Sequence, residues 1–132
     1  MTLRLRTLLV ITAAFGFVYG LITLFAPATY LQALGLAADP PAVLATRYFG
    51  AAVLGAGVML YLARGARDPT MQRALSVGNF LVVTASAAVS IGGLAAGLLN
   101  ALGWAFLASE VLLALGYGIL ALRLLRDPER PV

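Results

Sequence analysis

The chain has 132 residues, of which 62% are hydrophobic and only 11% charged, with a mean hydropathy of +0.99. A soluble domain of this length needs far more polar surface over its core, so the excess apolar surface has to face lipid. The net charge of +4 comes from arginine alone, since the chain has no lysine; those arginines flank apolar segments and so read as membrane topology, with no nucleic-acid partner expected.

There are no cysteines and no histidines. Without Cys, the chain offers no disulfide, thiolate metal site or Cys nucleophile. Without His, it offers no His-ligated haem, none of the usual zinc or copper ligand sets, and no His general base. No catalytic constellation and no metal site is expected, no cofactor is predicted, and the chain is read as a non-enzyme.

The first apolar segment runs from about 5 to 25, behind Arg4 and Arg6. Ala26-Pro27-Ala28 loosely resembles a signal-cleavage site, but the apolar run is long enough to span and too long for a signal core, so a retained transmembrane helix is expected. The connection that follows, PATYLQALGLAADPP, holds a short helix begun by Pro27 and stopped by Gly35. It is expected at the membrane interface, with Tyr30, Leu31 and Leu34 against the bilayer surface.

Asp39-Pro40 reads as the N-cap and first turn of a second spanning helix, about 42 to 62. Asp68-Pro69 repeats the signal before a third, about 71 to 91. Gly92-Gly93 and the stretch from Gly97 to Asn100 read as a loose turn. The fourth helix is expected over about 101 to 125, with Asp127-Pro128 as its stop and Trp104 as an interfacial anchor.

Arg4, Arg6, Arg64, Arg67, Arg73, Arg123, Arg126 and Arg130 all fall on one side of this arrangement, so the positive-inside rule sets both termini in the cytoplasm. The pattern RxxRDP recurs at Arg64–Pro69 and Arg123–Pro128 on that edge, more simply by convergence on a helix end with a basic anchor and proline stop than by duplication. The expected fold is all-α: one transmembrane domain over 1–132, an integral four-helix bundle with cytoplasmic termini and a short interfacial helix in the first outer loop. Arginine-only, alanine-rich usage points to the cytoplasmic (inner) membrane of a high-GC bacterium.

Helical spacing gives each span one small or polar stripe: Thr12, Gly16, Tyr19 and Thr23; Arg47, Gly50, Leu54, Gly57 and Tyr61; Ser76, Asn79, Val83, Ser86 and Ser90; Gly103, Phe106, Glu110, Ala114, Tyr117 and Ala121. Small residues let helices approach and polar groups avoid lipid, so these stripes should meet in the bundle. Two of their members carry charge. Glu110 sits near mid-membrane and Arg47 just inside the outer face, where a charge costs roughly 2.5–3.5 kcal/mol at a helix centre and needs a partner or a task. Their depths differ by about 7–10 Å at roughly 1.5 Å per residue, within an arginine's reach. A buried Arg47–Glu110 pair is expected, supported by Tyr19, Ser86, Ser90 and Tyr117; the alternative sends Arg47 to the outer headgroups.

Three stretches, FAPATYLQALGL, ATRYFGAAVLGAG and LLNALGWAFLASEVLLALGYG, together resemble an uncharacterised family of small bacterial four-helix membrane proteins in the DoxX-like group. The resemblance implies the four-helix fold, with Arg47 opening the second helix and Asn100, Gly103 and Trp104 as a loop motif. It implies no activity. The function expected first is an accessory or structural subunit of a larger membrane complex, partnered by other subunits or by itself in the lipid bilayer. The alternative is a binder of a small lipophile (quinone, carotenoid or lipid) in the bundle, and a further one is an oligomeric transporter component. No cofactor-binding residue is assigned.

Overall fold

The structure, a computed structural model, describes residues 3–126, with side chains from Leu5 onward. The Arg4 side chain, the Asp127-Pro128 stop and Arg130 lie outside the described residues. The chain forms five helices among them: α1 (Leu3–Phe25), α2 (Pro27–Ala33), α3 (Pro40–Ala63), α4 (Pro69–Ala95) and α5 (Ala101–Arg126). All but α2 are long and apolar enough to cross a membrane, and the protein is a multi-pass, all-α membrane bundle.

The helix starts follow local chemistry. The Asp39 carboxylate accepts from the Ala42 amide at 2.8 Å and that of Asp68 from the Met71 amide at 2.7 Å, so each aspartate satisfies a donor that its helix leaves open. Pro40 and Pro69 follow in the first turns, where no amide hydrogen is needed. One expected boundary moves. Gly92 and Gly93 stay helical, and α4 runs on to Ala95; beyond it the φ of 68° at Gly97 lets the Leu98 amide bond back to the Gly93 carbonyl at 2.9 Å. Glycine doublets weaken a helix in water, but inside a membrane an opened backbone has no solvent to turn to.

The four spans associate as two pairs, α1 along α3 and α4 along α5, while α3 and α4, though consecutive, make little contact. Glycine sets the first pair. A Cβ at Gly20 would lie 2.7 Å from the Leu54 amide nitrogen, and one at Gly50 would lie 2.6 Å from that of Leu24, so only glycine permits this backbone approach. The pairs meet at the end bearing the termini, where Leu5 and Leu9 of α1 and Tyr117 and Leu120 of α5 form a fully buried cluster. Thr12 and Tyr117 bridge it by a hydroxyl–hydroxyl bond of 2.7 Å. Toward the other end the pairs separate.

That gap is roofed by α2. The Asn100 side-chain amide donates to the Ala33 carbonyl at 2.7 Å, and the Asn100 backbone amide donates to Leu34 at 3.1 Å, tying α2 to the α4–α5 turn. Leu31 and Leu34 are buried and Tyr30 is half-buried. This corrects the expectation that these three residues lie on the bilayer surface: α2 turns its apolar face inward, over the space between the helix pairs.

Candidate functional site

The space beneath α2 is a cleft of two adjoining cavities, about 540 Å³ and about 260 Å³. Tyr19, Phe49, Ser86, Phe106 and Glu110 line both, so the two cavities share a waist built from all four spans. The upper one is roofed by Tyr30 and Leu34 of α2 and by Leu98 and Leu99 of the turn. Phe49 is 50% exposed and Val89 75%, so the cleft opens sideways between α3 and α4, where the two helices fail to pack.

Thr23, Asn79 and Ser109 are satisfied by their own helices. Thr23 donates to the Tyr19 carbonyl, Asn79 to Leu75 and Ser109 to Phe106, each at 2.7 Å. Glu110, like Gln72 and Ser76 of α4, keeps a buried polar atom without a hydrogen-bond partner. Its carboxyl lines the cleft near the middle of α5 beside the Ser90 hydroxyl, while Oε2 is buried without a hydrogen-bond partner in the protein. A carboxyl so placed needs a compensating group, since an unmet acceptor in an apolar setting costs about 1–3 kcal/mol.

Around it stand four aromatic rings. Tyr19 is the hub: its ring meets Tyr30 edge to face at 5.2 Å, Phe49 edge to face at 5.8 Å, and Phe106 in a tilted contact at 5.6 Å. Tyr30 and Phe106 close the cluster at 6.3 Å. The Tyr19 and Tyr30 hydroxyls hydrogen-bond to each other, anchoring α2 to α1 at the top of the cleft. Burial pushes the Tyr30 phenol above its usual range; the Tyr19 hydrogen bond pulls it back and the nearby Glu110 raises it further, so at neutral pH it remains a proton donor.

The sequence-predicted residues divide. Glu110, Tyr19, Ser86 and Ser90 are brought together in the cleft. Arg47 and Glu110 are not: Arg47 is exposed on α3 outside the cleft lining, and no ion pair joins them among the described residues. The reason is rotational. Gly50 and Gly57 are the α3 residues driven against α1, and that packing aims Phe49, rather than Arg47, into the cleft. Tyr117 also stands apart, fully buried in the closed end and bonded to Thr12. Tyr30 was expected at the bilayer surface, and Phe49 carried no site role, since a lone aromatic on a span resembles lipid-facing bulk; the spacing Gly103, Phe106, Glu110 was the available hint for Phe106. Ala56 of α3 lines the smaller cavity.

The cleft is therefore apolar and aromatic, with hydroxyls from Ser86 and Ser90, and Glu110 as its sole charge among the described residues. Such a lining can hold a small lipophile by burial and orient it by one carboxyl and a few hydroxyls. Comparisons of the chain with protein-family models, with curated proteins and with solved structures found no match in any of the three.

Proposed function

We propose that the protein is a binder of a small lipophile, which enters laterally from the membrane and is held between the two helix pairs with Glu110 and the tyrosines as its polar contacts. The observation that carries this reading is the cavity of about 540 Å³ between the two helix pairs, lined by Tyr19, Tyr30, Phe106 and Glu110. A volume of this order matches known small-molecule pockets, roughly 300–1,000 Å³. No catalytic role is part of the proposal, and the resemblance to the DoxX-like group enters it only as support for the fold.

In this reading the protein lies in a bacterial cytoplasmic membrane with both termini inside. Arg6, Arg64, Arg67, Arg73, Arg123 and Arg126 at the end of the bundle that bears the termini support that orientation. Arg64 stacks over the Tyr61 ring at 3.7 Å, an arrangement suited to an interfacial anchor.

The test fills the cleft. Ser86 lines both cavities, so Ser86→Phe inserts a ring into open space without displacing backbone. Solvent extracts of the purified wild-type chain should contain one small lipophile in constant ratio to protein, and extracts of Ser86→Phe should lack it. Equal content in both would refute the reading.

A second reading, the accessory subunit, is favoured by a different observation. Ala51 and Gly55 are exposed on α3, and nothing within 4 Å would meet a Cβ at Gly55, leaving a small-residue face for a partner helix. In that case bulky replacements at Ala51 and Gly55 should abolish co-purification with larger subunits while leaving the isolated chain folded.

A further inference from the structure

The charge and ring arrangement of the cleft narrow the ligand class. The cleft lining contains five aromatic rings, those of Phe15, Tyr19, Tyr30, Phe49 and Phe106, and the Glu110 carboxyl, and no basic side chain among the described residues. An anionic ligand such as a lipid phosphate would meet that carboxyl with nothing to balance it. A neutral ligand would leave Glu110 Oε2 buried and unmet unless it brought a donor. A cation supplies what both lack: it neutralises the carboxyl and is attracted to ring faces within about 6 Å. Tyr19, Phe49 and Phe106, in contact through Tyr19, line the shared waist together with Glu110, and an apolar body attached to the cation has a cavity on either side of that waist.

We infer that the cleft is a site for a lipophilic organic cation, an ammonium or phosphonium with a bulky apolar body, held with its charge at Glu110 inside the cage of Tyr19, Phe49 and Phe106. The inference rests on the reading of the cleft as a lipophile site and adds the sign of the ligand's charge. Glu110 is the counter-ion, the rings are the cage, and Arg47, exposed outside the cleft, leaves the carboxyl free for the ligand.

The experiment titrates the purified full chain in neutral detergent, by equilibrium dialysis, with tetraphenylphosphonium and with triphenylphosphine oxide. The second probe is similar in shape but neutral, and it accepts hydrogen bonds. Wild type should bind tetraphenylphosphonium saturably at one per chain. Glu110→Gln should weaken that binding at least tenfold, and Glu110→Asp, which keeps the charge, should retain most of it. The phosphine oxide should bind more weakly than the cation and change little in Glu110→Gln, whose binding of it also shows that the variant is folded. A cation affinity unaltered in Glu110→Gln, or an oxide that binds more tightly than the cation, would overturn the inference and leave the lipophile reading standing. If Ser86→Phe alters the binding of neither probe, the lipophile reading falls with it.

Discussion

Glu110 and Arg47 are the two charges set well within spanning helices, and the fold treats them differently. Arg47 lies near the outer end of α3 (Pro40–Ala63), two turns after Pro40, close enough for a long side chain to reach polar surroundings. Glu110 has a short side chain near the middle of α5, so it turns inward to the cleft. Tyr117 shows the other use of a polar group at this scale, since its bond to Thr12 joins the two helix pairs at their closed end. Tyr117→Phe should cost about 0.6 kcal/mol, and no more than roughly 1.7, which is the range for such bonds in membranes. Unfolding in mixed micelles, run as a double-mutant cycle with Thr12→Val, measures it. Ligand content should not change, because Tyr117 lies outside the cleft lining. The polar stripes made Glu110, Tyr19, Ser86 and Ser90 legible in the sequence, because intramembrane polar groups have few places to go. The Arg47–Glu110 pairing was not legible in the same way. Depth along a helix can be read from residue number, but rotation about its axis depends on which glycine face wins the contact, here Gly50 and Gly57 against α1.

Among the elements, the long helices were legible from hydropathy and from the Asp-Pro caps, and their packing order was not. Consecutive helices commonly pair, yet α3 and α4 stay apart because α1 presents Gly16 and Gly20 to α3, while Gly118 of α5 receives Phe80 of α4. The short α2 has an apolar face that suits a bilayer surface or a protein groove equally well; the contacts of Asn100 with Ala33 and Leu34, distant in sequence, decide for the groove. Asn100 also caps the start of α5, accepting from the Leu102 amide at 3.0 Å. Asn100→Ala should therefore release α2 from the α4–α5 turn. Hydrogen exchange of residues 27–36 should rise several-fold, with the α1–α3 seam unchanged. Uniform exchange across all helices would show instead that Asn100 supports the whole bundle rather than the roof.

For the whole molecule, two tightly seamed helix pairs joined at one end leave a wedge of space at the other, and the roof and the side opening determine what can enter it. The absence of cysteine allows the orientation to be tested directly. In intact cells, Ala37→Cys should react with a membrane-impermeant maleimide and Gly65→Cys should react only after lysis; the opposite pattern would invert the topology. The proposed function requires the wedge to hold a specific small molecule. Native mass spectrometry of the chain released gently from its own membrane measures this most directly. A species carrying one constant small-molecule mass is expected, and Ser86→Phe should lose it. A bare chain, or one bearing only a spread of phospholipid masses that Ser86→Phe leaves unchanged, would contradict it.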